Sequence, residues 1–240
     1  KFRLVVHLHG CLKPRKSNAN GIINIHRPWI TDVISSHPHQ FEIAQQKCQA
    51  NHVMMLNPID RSFFDLSFGR RKRNIVGYCG RISPEKQLID FVNAVIQAKS
   101  SIPDIFVLLI GDADQNSMQC QLEKDKIISL LESNNIPFHI TGFVENCART
   151  LNTVKVSVLC SQAEGFCNFV WESVALGIPV VSRNVGSSYM IVDKENLTDN
   201  KIAELEKNTE KRDKKRLRRR AKLAHEDTYA KIFIDFLEGR

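Results

Sequence analysis

The sequence predicts a doubly wound α/β domain, and three observations carry the prediction. Short apolar runs end at glycines: Asn74–Cys79 before Gly80, Ile105–Ile110 before Gly111, and Phe138–Thr141 before Gly142. These runs are continuous rather than alternating, as in strands buried on both faces of a parallel sheet. Between them lie stretches with apolar residues at helical spacing, so that strand and helix alternate along the chain.

Taken in order, the first part of the chain is the least complete. Leu4–His9 reads as a strand closed by Gly10, Trp29–Gln49 as a strand leading into a helix, and Val53–Leu56 as a run ending at Asn57-Pro58. That is too little for a whole sheet domain. Residues 1–66 therefore read as the closing portion of one, and the start at Lys1, directly before an apolar run, suggests a piece of a longer protein. The stretch FDLSFGRRKR around Gly69 has the polarity of a linker.

Residues 67–190 carry the predicted sheet domain. After Gly80, Ser83 is placed to cap a helix whose first position is Pro84, running to about Lys99 with Leu88, Phe91, Ala94 and Val95 on one face. Met118–Ser133 repeats the pattern with Leu122, Ile127, Leu130 and Leu131. Val154–Leu159 and Pro179–Ser182 read as further strands, and Phe169–Leu176 as a helix stopped by Gly177. Residues 191–240 turn polar and end in a helix with Ile232, Phe233, Phe236 and Leu237 on one side.

Composition sets outer bounds. The 240 residues are 42% hydrophobic and carry a net charge of +8. No apolar run approaches the roughly 18 residues that span a bilayer, and the start has no signal-peptide pattern. The seven cysteines (Cys11, Cys48, Cys79, Cys120, Cys147, Cys160, Cys167) contain no CxxC pair. An odd, unpatterned set predicts a reducing compartment and speaks against a zinc site or a disulfide framework. Much of the positive charge sits in Arg70–Arg73 and in KRDKKRLRRRAK from Lys211 to Lys222, which read first as solvated faces.

Two places hold chemistry, and both fall where strands lead into helix N-termini, the usual ligand edge of such sheets. In CGRISPEK, Arg81 follows a strand and Lys86 lies in the first turn of the predicted helix. Cations there oppose the helix dipole, an arrangement that makes best sense with an anion such as phosphate between them. An arginine paired with an acidic neighbour and a solvated lysine would be the plain structural alternative. In AEGFCNFVWESVALGIPVV, Glu164 precedes a helix and Glu172 lies within it among Val170, Trp171, Val174 and Ala175. A carboxylate in such company costs several kcal/mol, on the order given by apolar transfer, unless strong hydrogen bonds such as those from a pair of ligand hydroxyls compensate it. Gly165 allows close backbone approach, and the amides of Phe166, Cys167 and Asn168 would face outward from the helix start.

With GRISPEK, LLIGD, HITGF and AEGFCNFVWESVALGIPVVSRNVGS in place, the sequence resembles the family 4 retaining glycosyltransferases of GT-B fold. The resemblance covers about residues 74–190, the donor-binding half, and more faintly 1–66 through VVHLHG and MMLNPID. It implies a hexosyltransferase-type enzyme that uses a nucleotide-diphosphate sugar, UDP-sugars favoured, with no metal and no further cofactor. Arg81 and Lys86 would neutralise the diphosphate. Glu164 would hold sugar hydroxyls and Glu172 the ribose hydroxyls. Gly165 and the amides of Phe166, Cys167 and Asn168 would meet the sugar or distal phosphate, and Phe143 and Val144 the base. His9 would line the sugar pocket from the other side. The acceptor would be a glycan, glycolipid or glycosylated protein, and the enzyme cytoplasmic, with peripheral attachment to an anionic membrane through the basic run left open.

The sequence departs from that pattern at Cys167, where the family usually has glycine, and at Met190, where an acidic residue often follows paired glycines that are Gly186-Ser187 here. Among rival readings, Asp112-Ala113-Asp114 has the spacing of a metal-binding DxD but reads as a turn. His7 with His9, and His37 with His39, read as ordinary histidines rather than metal ligands. The run at 211–222 could bind nucleic acid, yet no RNA- or DNA-binding motif accompanies it. A sugar-nucleotide-binding domain without transferase activity is the third reading.

Overall fold

The structure is a computed structural model that describes residues 4–8, 29–67, 74–197 and 214–238. It contains two parallel sheets. The smaller is built from β1 (Val5–Leu8), β2 (Asp32–Ser35) and β3 (Asn51–Met54), in the order β1-β2-β3, with α1 (Pro38–Lys47) joining the last two. A short helix α2 (Ser62–Asp65) follows. The larger sheet takes β4 (Ile75–Cys79), β5 (Phe106–Ile110), β6 (Phe138–Ile140), β7 (Val156–Leu159) and β8 (Val180–Ser182). Its helices are α3 (Leu88–Ala98), α4 (Met118–Ser133), α5 (Ala148–Leu151) and α6 (Asn168–Ala175).

The strand order β6-β5-β4-β7-β8 is doubly wound. The chain first builds outward from β4 through β5 to β6, then returns to the other side of β4 with β7. The carboxyl ends of β4 and β7 therefore flank the topological switch point, where loops diverge and leave a crevice. Strands buried on both faces explain the uninterrupted apolar runs: Val107, Leu109, Val156 and Val158 are all buried, beneath helices carrying Phe91, Val92, Ile127 and Trp171.

Helix α4 has the predicted limits and is capped by the Ser117 hydroxyl, which accepts from the Cys120 N–H. Its buried face is Cys120, Glu123, Ile127 and Leu131, while the expected core residue Leu122 is exposed. The expected helix from Pro84 is broken. Pro84–Lys86 form a single 3-10 turn, Gln87 takes a left-handed conformation (φ 52°), and α3 starts only at Leu88. Ser83 is extended and its side chain makes no cap bond. Lys86 thus stands on a separate turn before the helix, free of the spacing that α3 would impose.

The C-terminal region is more integrated than its polarity implies. Helix α7 (Lys214–Ala221) packs against α6, and Leu217, Ala221 and Ala224 join the core of the larger sheet. Arg218 donates to the carbonyls of Ala175 (2.9 Å) and Leu66 (2.6 Å). Arg216 and Arg220 both pair with Asp193, at 2.8 and 2.6 Å. The chain then returns toward its beginning. The Ile59 N–H donates to the Ala224 carbonyl (2.7 Å), and Phe64 meets the His225 ring at 4.8 Å. From helix α8 (Glu226–Glu238), Phe233 packs on Ile34 and Met55 beside the smaller sheet, whereas Ile232 is exposed. The Phe236 and Leu237 side chains, the run Arg70–Arg73, most of the expected linker and the first three residues of the 211–222 run lie outside the described residues.

Arg218 serves as a cationic cap on the last turn of α6. Replacing it by Met should remove two charge-assisted bonds and cost about 1.5–3 kcal/mol. The expected readout is a lower urea midpoint with an unchanged m-value.

Candidate functional site

The crevice at the switch point holds two adjoining cavities. One, of about 340 Å³, is lined by Arg81, Lys86, Glu164, Phe166, Cys167 and Asn168 among others. The second, of about 440 Å³, includes Asp112, Phe143 and Val144. Cys79, Gly80 and Arg81, at the end of β4, belong to both. The expected site residues of the sheet domain, apart from Gly165 and Glu172, therefore line one continuous opening.

Each wall has a physical cause. The Tyr78 hydroxyl donates to the Arg81 carbonyl (3.2 Å), which fixes the loop after β4. Gly111 must be glycine, since its φ is +133° and an added Cβ would come 2.1 Å from the Gly80 carbonyl oxygen. The loops after β4 and β5 can approach this closely only without a side chain. Phe143 projects into solvent at 88% exposure beside the second cavity, and Val144 is half-buried.

Arg81 pairs with Glu85 at 3.1 Å in an exposed i,i+4 contact, which leaves its guanidinium at the mouth of the crevice. Lys86 behaves differently. Its Nζ donates to Glu164 Oε1 at 2.7 Å, and the two side chains are only 19% and 16% exposed. Glu164 therefore has an internal cationic partner, but both groups face the cavity rather than the protein interior.

The loop from Gly165 to Asn168 rests against the segment after β8. Gly186 (φ +53°) touches it so closely that a Cβ would lie 2.3 Å from the Gly165 carbonyl oxygen. Next to it, the buried Ser187 hydroxyl accepts from the Trp171 indole N–H (2.9 Å) and the Cys167 amide (3.2 Å). The Asn168 amide turns back to the Phe166 carbonyl at 2.9 Å. Of the three amides expected to face outward, only that of Phe166 lacks a hydrogen-bond partner among the described residues. The Cys167 thiol donates to the Val185 carbonyl (3.2 Å), and burial pushes its pKa up to about 12, with the Glu164 charge adding. The cysteine found where glycine was expected thus serves as a buried tie between two loops.

Glu172 lies one turn into α6, half-buried, and its carboxylate has no hydrogen-bond or ion-pair partner among the described residues. Burial raises its pKa from 4.5 to about 7, and the charge of Asp60 adds to the effect. Asp60 follows Asn57, whose side-chain amide donates to Asn168 Oδ1 (3.3 Å), so the Asn57–Asp60 segment closes over this end of the helix. Beside Glu172 stand Cys79 and Cys147, and the ligating atoms of the three lie within 4.8 Å of one another. The Cys79 thiol is raised by its hydrogen bond with Cys147 and by burial, and the same bond lowers Cys147.

Other expectations resolve elsewhere. Asp112 pairs with Lys124 (2.6 Å) and accepts from the Ala113 amide, while Asp114 accepts from the Asn116 amide. That is the hydrogen bonding of a turn. His9 lies outside the described residues. His37 and His39 stack at 6.4 Å near the start of α1, with no carboxylate or thiol grouped with them as metal ligands among the described residues. Sequence reasoning missed Ser187, Asn57 and the meeting of Cys79 with Cys147. Only the first left a signal, since an indole in an apolar helix must find an acceptor.

The family model of the glycosyl transferases group 1 matches residues 73–211, more than half the chain. The chain belongs to this family. No curated protein matches it. Among solved structures it is similar to HepE from Anabaena in complex with UDP (TM-score 0.83, 17% identity, 99% of this chain and 72% of that one). It is also similar to a variant of S. aureus TarM in complex with fondaparinux, alpha-GlcNAc-glycerol and UDP (TM-score 0.75, 16% identity, 97% of this chain and 50% of that one). A third is sucrose-phosphate synthase from Thermosynechococcus elongatus (TM-score 0.73, 18% identity, 90% and 59%). The chain thus spans about half the length of TarM. These likenesses place the group 1 chain in the GT-B fold class.

Two changes test the site's construction. Ser187→Ala should strand two buried donors and cost about 2–4 kcal/mol, read as a lower urea midpoint. Glu172→Gln tests the raised carboxyl. Because the folded chain holds that proton more tightly than the unfolded one, native stability falls as pH climbs from about 4.5 through 7. Glutamine removes the penalty, so the variant should gain on the order of 3 kcal/mol over the parent at pH 8 and nothing at pH 4.

Proposed function

We propose that this chain carries the donor site of a retaining, metal-independent glycosyltransferase that takes a UDP-sugar and passes the sugar to an acceptor hydroxyl. The observation that carries the reading is the pairing of Lys86 with Glu164 in the crevice, with Glu172, unpartnered among the described residues, on the helix that starts at its wall.

A diphosphate entering between Arg81 and Lys86 would draw the ammonium, which has three donors and can serve an anion while still near Glu164. Glu164, relieved of its partner, would accept from the sugar hydroxyls. Glu172 would accept from the two ribose hydroxyls, which supply the hydrogen bonds that its half-buried carboxylate lacks. The base would then extend toward Phe143 and Val144 in the second cavity. As the glycosidic bond breaks, negative charge grows on the leaving diphosphate, and fixed cations aimed at it stabilise the transition state. The Phe166 amide adds a donor at the sugar end. The anomeric carbon becomes oxocarbenium-like. Glu164 positions the sugar, and the leaving phosphate takes the acceptor proton.

UDP as the donor's nucleotide is supported by HepE and TarM, which carry it in their structures. A glycan, glycolipid or glycosylated protein fits as acceptor. No helix among the described residues is long and apolar enough to cross a membrane. The reading takes the enzyme as cytoplasmic with no cofactor beyond its donor, and contact with an anionic membrane would use basic side chains of the 211–222 run. Nucleic acid is disfavoured as a partner, because Arg216, Arg218 and Arg220 are engaged with Asp193 or with backbone carbonyls. A donor-binding domain without transfer activity remains the second reading, favoured by the altered Cys167 position.

A thermal-shift panel of UDP-, GDP- and ADP-sugars tests the assignment. At a hundredfold excess over Kd, the UDP compound should stabilise by about 2.7 kcal/mol, a rise of several degrees. Lys86→Ala and Glu172→Ala should abolish it. No shift with any nucleotide would sink the reading. Product bearing the donor's anomeric configuration by NMR would separate transfer from binding alone.

A further inference from the structure

Cys79, Cys147 and Glu172 come from three separate elements: the end of β4, the residue before α5 and the second turn of α6. Nothing in their sequence spacing suggests a site, since 67 positions separate the two cysteines. Yet their two Sγ atoms and a carboxylate oxygen all lie within 4.8 Å of each other. The geometry points to a binding site for a soft divalent cation, of which zinc is the best match, behind the point where Cys79 meets the crevice.

A tetrahedral zinc with bonds of about 2.3 Å to sulfur and 2.0–2.2 Å to oxygen places its ligand atoms about 3.5–3.8 Å apart. The three groups reach that spacing by contracting about 1 Å, within rotamer adjustment. Thiolates select zinc over magnesium or calcium, which prefer all-oxygen sets. All three side chains are half-buried, so the cation would be partly desolvated and held on a rigid sheet edge. Finally, Glu172 has no other partner, and the nearby negative charge of Asp60 favours a cation at the same point.

Three protein ligands leave a fourth position. Cys79 lines both cavities, so that position opens into the crevice. Zinc and ribose would then compete for Glu172, and the metal would act as an inhibitor rather than a catalyst. This consequence rests on the donor reading above, whereas the metal site does not.

Cobalt(II) titration of the reduced chain tests the site directly. One equivalent should produce a thiolate-to-cobalt charge-transfer band and the intense visible bands of tetrahedral cobalt, both removed by added zinc. Cys79→Ser and Cys147→Ser should each weaken binding at least tenfold, and the double variant should show no band. Cys48→Ser, at a half-buried cysteine in the smaller sheet's cluster, should leave the bands intact and controls for general thiol binding. Absence of the bands in the parent chain, or their persistence in the double variant, overturns the proposal. Circular dichroism of the variants separates lost ligation from lost fold, and a single variant that folds and binds cobalt as tightly as the parent also overturns it. Competition is read separately. UDP should diminish the cobalt bands in the parent. If UDP protects the metal-free chain yet leaves those bands unchanged, the inhibitory role is wrong. If UDP does not bind the metal-free chain, the donor reading fails while the cobalt result stands.

Discussion

The ion pair between Lys86 and Glu164 joins the loop after β4 to the loop after β7 across the point where the sheet changes direction. Both partners are largely withdrawn from water, and removing two charges from water costs several kcal/mol that their attraction only partly returns. A pair of apolar residues of similar volume would hold the two loops together at lower cost. The charged pair has a property that apolar residues lack, because its bond can be exchanged for bonds to a ligand of mixed charge. An anion satisfies the ammonium and a set of hydroxyls satisfies the carboxylate. Under the proposed function, the pair stores the two recognition groups that a sugar diphosphate would need.

For that exchange to occur the loops must be stiff enough to stay in place when the pair opens. The contacts behind Glu164 provide this stiffness. Gly186 lies against the Gly165 carbonyl with no room for a side chain, and Ser187 accepts from both Trp171 and the Cys167 amide. The thiol of Cys167 adds a third tie to the Val185 carbonyl. A glycine at position 167 would leave the amide bond to Ser187 possible but remove the sulfur contact. The cysteine thus trades backbone freedom for a fixed loop, in which the amides of Cys167 and Asn168 are turned inward. In the proposed donor site, recognition at the sugar end would fall more heavily on Glu164 and the Phe166 amide.

The strands and α4 were legible in the sequence because burial on both faces leaves a continuous apolar run and a glycine closes it. Arg81, Lys86 and Glu164 stood out in the sequence because cations at a helix start and a carboxylate just before another demand a reason, and the fold brings the three to one cavity. The broken helix at Gln87 was not legible, since Ser83-Pro84 is an adequate start signal for either a 3-10 turn or an α-helix. The turn type depends on where Lys86 finds its partner, 78 positions further along. Cys79 and Cys147 were illegible for a related reason. Metal-type spacing in sequence reports ligands on one local loop, whereas these two meet only because β4 and the segment before α5 lead into the same edge of the sheet.

The same distinction governs the basic run before α8. By composition its six arginines and lysines from Lys214 to Arg220 suggest an electrostatic surface for polyanions. In the fold, Leu217 and Ala221 enter the core, Arg218 caps the carbonyl end of α6, and Asp193 receives two guanidinium groups. The helix that carries Glu172 is thus held from its N-terminal side by Ser187 and from its C-terminal side by Arg218. A cation at the end of α6 also complements its dipole, while the opposite end faces the crevice. Charge that counts toward non-specific attraction in the sequence is in part spent on internal ties, with Arg218 fixing the end of the short helix that carries Glu172.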